Sequence, residues 1–331
     1  MENYNKPQPR LWTGRDDSFE GEGGKRWHQT INMLDLSQPV KLNGGQLHLV
    51  FLGFACDEGV KCNQGRTGAK EGPLSARKAL ANLPWHFDDD LQLWDAGDIV
   101  EMNGELEKAQ EALSHAVQQL IKAGAIPLLI GGGHEIAFAH YRGIHRAMPH
   151  QKIGIVNIDA HFDLRKPDQG LSSGTPFYQI AEMLEADDHP FQYYCLGIQE
   201  TGNTKILFDR ARKLDTKWMK ASEIKNGFKE NLEEQLNRFV AACDGIYLTT
   251  CLDVFDASVA PGVSAPATDG LLPAQVKWIY GQLISSGRVL ASDLAELNPS
   301  LDIDQRTTRL AAQLIFEQVK LYFYSFKSVN S

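Results

Sequence analysis

Lys152-Ile153-Gly154-Ile155-Val156-Asn157-Ile158-Asp159-Ala160-His161-Phe162-Asp163 passes from a short β-branched run straight into a polar set. Successive apolar residues without alternation read as a strand buried on both faces, as in a parallel sheet. Its polar residues then sit where the strand leaves the core. Side chains two apart on an extended chain point to the same side, so Asp159 and His161 face one point and Asp163 reaches it from the following turn. Unpaired carboxylates at the end of an apolar strand would repel each other and raise one another's pKa, and a multivalent cation is the simplest remedy. A solvated strand-end loop is the plainer alternative.

Further strands read at 47–55, around 91–93, and at 126–130, 193–198, 246–254 and 289–294. Between them lie helical patterns from Pro73 to Leu80, at 105–122 with Leu106, Ala109, Leu113, Val117 and Leu120 at helical spacing, from Pro176 to about Glu185, and at 232–242 and 273–284. Alternation of this kind gives a parallel sheet with helices on both faces. The expected fold class is α/β, a three-layer αβα sandwich around a mostly parallel central sheet of about eight strands. Residues 1–45, with Trp12, Trp27, Gly14, Gly21, Gly23 and Gly24 but no sustained periodicity, read as an N-terminal arm packed on a single catalytic domain spanning 46–331.

The chain has 331 residues, 43% apolar and 23% charged, which is the make-up of a globular enzyme. A net charge of -9 argues against a nucleic-acid or membrane footprint and leaves a small molecule as the expected partner. The start Met1-Glu2-Asn3-Tyr4-Asn5 has no basic region followed by an apolar segment, and no run approaches a membrane span, so the expected location is the cytoplasm. Five cysteines without CxxC spacing read as reduced thiols. A homo-oligomer is left open, since the apolar tail at 315–326 suits either a core or a subunit contact.

In open α/β sheets function gathers at the carboxyl ends of the strands. There the sequence delivers His134 after Gly131-Gly132-Gly133, then Asp159, His161 and Asp163, then Cys251, Asp253 and Asp256, and finally Glu296. The glycine cluster lacks both GxGxxG and the P-loop lysine, so it reads as a sharp turn presenting His134 and not as a phosphate cradle. His140, His145 and His150 read as surface histidines. Oxygen and imidazole donors in this mixture suit Mn2+, and they exceed what one ion needs. Two ions roughly 3.5 Å apart would account for the excess.

Gly131-Gly132-Gly133-His134-Glu135, Asp159-Ala160-His161-Phe162-Asp163 and Leu252-Asp253-Val254-Phe255-Asp256 with Val259-Ala260-Pro261-Gly262 resemble the three metal motifs of the ureohydrolases, the arginase and agmatinase family. Glu296-Leu297-Asn298-Pro299 resembles that family's amidinium-binding glutamate motif. Within the family, Trp12-Thr13-Gly14-Arg15, Arg26-Trp27-His28-Gln29, Asn63-Gln64-Gly65-Arg66-Thr67-Gly68-Ala69 and Ser173-Gly174-Thr175-Pro176-Phe177 resemble the formimidoylglutamases of histidine degradation. The histidine that arginases carry near Ser172-Ser173-Gly174 is missing, which fits that group.

The resemblance implies Mn2+ ligation by His134, Asp159, His161, Asp163 and Asp253. It departs from the family's Asp-x-Asp at Cys251. That side chain either ligates weakly as a thiolate, leaves one ion loosely held, or is a small hydrophobe that points elsewhere. The resemblance further implies hydrolysis of N-formimidoyl-L-glutamate to L-glutamate and formamide, by attack of metal-bound hydroxide on the formimidoyl carbon. Glu296 would hold the cationic nitrogen and Asp163 would relay a proton to the leaving amine. Two substrate carboxylates call for cations or hydrogen-bond donors at the pocket rim. Arg66, Thr175 and Ser264 are the candidates, with Lys70, Arg15, Arg306 and Arg309 as further cations. A guanidino-acid ureohydrolase such as agmatinase, releasing urea, and an inactive metal-binding descendant are the alternative readings.

Overall fold

The computed structural model describes residues 2–227 and 229–330. Its strands are β1 (Tyr4–Asn5), β2 (Asn32–Met33), β3 (Leu47–Ala55), β4 (Leu91–Val100), β5 (Ile126–Ile130), β6 (Ile153–Ile158), β7 (Tyr193–Ile198), β8 (Lys217–Lys220), β9 (Gly245–Cys251) and β10 (Val289–Ala295). All join one ten-stranded sheet in the order β1-β4-β3-β5-β10-β9-β6-β7-β8, with β2 also paired to β4. The strand pairs run parallel, except that β1 lies antiparallel to β4. The sheet exceeds the expected eight strands because β1 and β2 are two residues long and β8 four, too short to show a period.

Adjacent residues on a strand serve opposite faces. Phe51, Leu128, Val156, Leu196 and Leu248 pack with Leu80, Leu236, Ile279 and Leu314 in one core cluster. Leu52, Leu129, Ile155, Tyr193 and Tyr247 pack with Leu113, Val117, Ile144 and Ile180 in a second. The first cluster receives the helices Gly72–Leu80, Lys229–Ala241, Pro273–Ile284 and Arg306–Asn330; the second receives Leu106–Lys122, Ile136–Ala147 and Pro176–Ala186. This is the three-layer sandwich. The 315–326 segment lies in the last helix, where Ile315, Val319, Tyr322 and Phe323 are buried in the core and Tyr324 is exposed.

Residues before β3 are built into the sheet through β1 and β2 and place Trp12 and Trp27 in the core. Trp12 Nε1 donates to Asp95 Oδ2 at 2.7 Å, on a buried ion pair between Arg77 and Asp95. No described helix is long and apolar enough to cross a membrane.

What positions the site is the strand order. β5, β10, β9 and β6 are neighbours, although β10 is last and β5 and β6 are consecutive in sequence. The four loops that follow these strands therefore open side by side at the carboxyl edge of the sheet. The register aligns Leu294 of β10 with Ile130 of β5 and Thr250 of β9, and Ile158 of β6 with that same Thr250.

Candidate metal centre

From β5 the chain turns at Gly132, where an added Cβ would lie 1.7 Å from the Cys56 carbonyl oxygen, and so brings His134 back under the sheet edge. β6 ends one residue before Asp159, which is fully buried. Asp163 follows in left-handed backbone with φ 46°, and Glu296, just after β10, has φ 68°. Non-glycine residues held there carry local strain, which clusters at functional sites. The strand expected over 246–254 stops at Cys251, and a 3-10 turn over Leu252–Val254 buries Asp253.

His134 Nδ1 lies 2.9 Å from Asp159 Oδ2 and 3.0 Å from Asp163 Oδ2. His161 Nδ1 lies 3.2 Å from Asp253 Oδ2 and 3.5 Å from Asp159 Oδ1. Asp159 thus stands between two groups: its ligand atom, those of His134 and Cys251, and likewise those of Asp159, His161 and Asp253, lie within 4.8 Å of one another. The Cys251 thiol faces the cluster and does not point away. With Asp163 and Glu296 these residues line an open pocket of about 340 Å³, apart from the more deeply buried Asp159.

A chain of buried hydrogen bonds fixes the tautomer of His134. Thr249 Oγ1 donates to Asp293 Oδ1 at 2.6 Å, so at 3.0 Å it accepts from His134 Nε2. With Nε2–H committed, a neutral His134 presents its Nδ1 lone pair to the cluster, and a protonated one points that N–H toward Asp159 and Asp163. Asp293 is held in turn by His140 Nδ1 at 2.6 Å and by the Tyr247 hydroxyl. His140 is fully buried and His145 is buried against Asp187 at 3.2 Å, so neither is the surface histidine expected; His150 is exposed. His140 shares the apolar face of its helix with Ala137, Tyr141 and Ile144, and that spacing was the available signal.

The electrostatics are those of a site short of positive charge. Burial lowers the pKa of His134 and His161, but Asp159 with Asp163, and Asp253 with Asp159, outweigh it and raise both well above the usual range. Burial raises Asp159, yet His134 and His161 hold it below the carboxylate range. Burial, then Asp159, pushes Asp163 up to about 6 and Asp253 upward. Burial, then Glu135 and Asp253, raises Glu296 well above its ordinary value. Burial, then Asp253, does the same to the Cys251 thiol. His134 Nδ1, Asp253 Oδ1 and Glu296 Oε2 are buried without a hydrogen-bond partner. Unpaired buried charge is costly, and imidazole and carboxylate donors aimed at common points fit cations such as Mn2+.

Of the expected substrate contacts, Arg66 and Ser264 line the pocket. Arg66 Nε and Nη2 are spent on the carbonyls of Ser264 and Val263, each at 2.8 Å. Thr175 does not line it: its buried hydroxyl bonds Ser172 O and Gln179 Oε1, both at 2.9 Å. Arg15 pairs with Asp17, Arg306 and Arg309 line a different groove, and Lys70 is exposed outside the pocket lining. Asp256 caps Ser258 and does not join the cluster. Arg165, exposed on the pocket lining two residues past Asp163, was missed because a lone arginine beyond a motif carries no pattern.

A model of the arginase family matches residues 47–320. The formimidoylglutamase of Geobacillus kaustophilus is 44% identical over 315 residues, covering 95% of this chain and 96% of its own. That of Chromobacterium violaceum is 44% identical over 305 residues, covering 92% and 96%. Among solved structures, Trypanosoma cruzi formiminoglutamase with Mn2+2 superposes with a TM-score of 0.75 at 26% identity, covering 96% of this chain and 99% of that one. Both the fold and near-full-length likeness agree: the chain belongs to the arginase family.

Proposed function

We propose that this chain is an enzyme that hydrolyses N-formimidoyl-L-glutamate to L-glutamate and formamide, with two Mn2+ ions at the strand-edge cluster. His134, Asp159, His161, Asp163, Asp253 and Cys251 would hold them. When bound, Mn2+ supplies the positive charge that lowers the pKa of water and makes a nucleophile available at neutral pH. Near-full-length likeness to formimidoylglutamases supports the substrate. The observation that carries the chemistry is Glu296: it lines the pocket, its Oε1 accepts from the His134 backbone N–H at 3.0 Å, and its buried Oε2 has no partner.

An amidinium entering the pocket meets that oxygen and gives Glu296 the counter-charge its burial denies it, drawing it back to the carboxylate. The reacting carbon is thereby oriented toward the Asp159 cluster, and the charge kept in the tetrahedral intermediate is balanced. Asp163, at the pocket surface beside His134, would take up the proton that the attacking water loses and pass it to the departing glutamate nitrogen. The glutamate tail extends along the remaining lining, where Arg165 is the exposed cation and Ser264 a hydroxyl. The setting belongs to this reading as well: the free cysteines suit the reducing cytoplasm.

The test is turnover by metal-stripped protein before and after Mn2+ is restored, with N-formimidoyl-L-glutamate, agmatine and L-arginine offered separately. Glutamate and formamide formed only with Mn2+ are expected. Urea from a guanidino compound would overturn the substrate, and Mn2+ bound without any turnover would favour an inactive descendant.

A further inference from the structure

Three segments form one part of the pocket wall, beside the part lined by Arg165, Ser173, Gly202, Asn203 and Leu207. They are 63–68, which supplies Gln64, Gly65 and Arg66; 262–265, which supplies Ser264 and Ala265; and 296–300, whose first residue is Glu296. All three meet at one fully buried residue, Asn298. Its Nδ2 donates to Arg66 O and to Thr67 O, each at 3.0 Å. Its Oδ1 accepts from Ser300 N at 3.1 Å and Ser300 Oγ at 2.5 Å, and its backbone N–H donates to Gly262 O at 2.8 Å. Both donors and the acceptor of the amide are thus committed.

The neighbouring contacts tighten the same junction. Arg66 N donates to Ser264 Oγ at 2.8 Å, and its guanidinium binds the carbonyls of 263 and 264. Gly68, at φ +128°, lies where a Cβ would come within 2.4 Å of Asn298 Oδ1 and of Ser300 Oγ. Only glycine fits that approach. Asn298 itself does not line the pocket.

We propose that Asn298 is a positioning residue that buckles these three segments together and so sets the affinity for the substrate's carboxylate-bearing tail. This rests on the function proposed above. The metal cluster is held from behind by Thr249 and Asp293, and Glu296 is tied to the 132–134 turn by its own N–H on Gly132 O at 2.8 Å and by the His134 N–H on its Oε1 at 3.0 Å, so loosening the buckle frees the wall beyond Glu296 and leaves the reacting centre in place. Recognition of the tail falls; the chemistry on the amidine carbon does not.

Asn298→Asp keeps the shape and the acceptor but turns two donations into contacts between a carboxylate and carbonyls. KM for N-formimidoyl-L-glutamate should rise about tenfold or more while kcat stays within about threefold, the pattern of lost binding common to ground and transition states. N-methylformamidine, which lacks the tail, should be hydrolysed by variant and parent at rates within about threefold of each other. Mn2+ content should be unchanged. An equal loss on both amidines, a lower Mn2+ content, or an unchanged KM would each overturn the buckle.

Should Asn298→Asp fail to fold, Asn298→Ser, which retains one donor, is read the same way. Hydrogen exchange in the unsubstituted protein supplies an independent reading: amides of 66–68 should exchange at least about tenfold more slowly than those of the exposed loop at Gly170. Equal rates would mean that no lock exists. Absence of turnover of N-formimidoyl-L-glutamate by the unsubstituted enzyme would remove the substrate reading and not the buckle, which is then tested with the amidine that is turned over and its tail-less analogue.

Discussion

Two clusters of buried charge lie in this sheet, and they are solved in opposite ways. Around Asp95, the protein supplies everything: Arg77 meets Asp95 at 2.9 Å and Asp98 at 2.6 Å, and Trp12 Nε1 and Gly97 N donate to the Asp95 carboxylate. Burial opposes the Arg77 charge, yet Asp95 and Asp98 more than restore it. Around Asp159, three further acidic side chains, Asp163, Asp253 and Glu296, are set against two imidazoles, and three polar atoms go unpartnered. A closed cluster is architecture, and an open one is a binding site. The difference separates what stabilises the fold from what awaits cation and substrate.

The largest way to break this contrast is to remove the residue shared by both metal groups. Asp159→Asn should abolish tight Mn2+ binding and lower turnover by at least about 10³-fold, because no protein group takes its place. Metal analysis and steady-state rates check this. Arg77→Met should do the converse. It leaves Asp95 buried without its cation, a loss of about 3–5 kcal/mol by urea unfolding, with Mn2+ stoichiometry unchanged in the folded fraction. A normal metal content in Asp159→Asn, or a lost one in Arg77→Met, would collapse the distinction.

A smaller effect is expected between the two extremes, at the hydrogen-bond chain behind His134. Thr249→Val keeps the shape of the side chain but removes the acceptor that holds Nε2–H. Without it the imidazole is free to place its lone pair on Nε2, away from the cluster, and Mn2+ affinity should fall about 10- to 100-fold. Calorimetric titration of stripped protein measures it. An affinity unchanged within about twofold would show that Asp159 and Asp163 alone orient the ring.

How much of this was legible beforehand follows from where each residue sits. His134, Asp159, His161, Asp163 and Asp253 could be read because each breaks an apolar strand at its carboxyl end, and polar residues there have few structural reasons to exist. Asp293 and His140 could not, for they lie inside a strand and on the apolar face of a helix, where polarity is paired silently across the core. Their partner in space is 153 positions away. Asn298 was visible only as part of a motif, since its partners on two other loops depend on the strand order β5-β10-β9-β6, which local pattern does not encode. The two-residue strands β1 and β2 exist only because β4 offers them an edge. Arg165 and Thr175 show the converse: position beside a motif predicted neither the residue that lines the pocket nor the one that turns away from it.

The smallest expected effect sharpens the comparison by pH. His134 and His161 have folded pKa values raised well above 6.5, so their ion pairs stabilise the metal-free protein fully below that value and lose their contribution as pH rises through the folded values. Asp163, raised to about 6, and Asp253 act with the same sign, because ionising them adds unpaired charge to the cluster. Asp159, held low by the two histidines, contributes above the ordinary carboxylate range and stays constant here. Metal-free protein should therefore melt about 1–2 °C lower at about pH 8.5 than at about pH 6, roughly the shift of one kcal/mol in a chain of this size. Mn2+ should cancel the slope, since it takes the place of the protons on the same atoms. Arg77→Met removes nothing from the Asp159 cluster, so it should lower the melting curve at both pH values and leave the slope set by that cluster in place. A slope of opposite sign in the metal-free protein, or one that Mn2+ leaves intact, would mean that the open cluster is balanced by the protein itself.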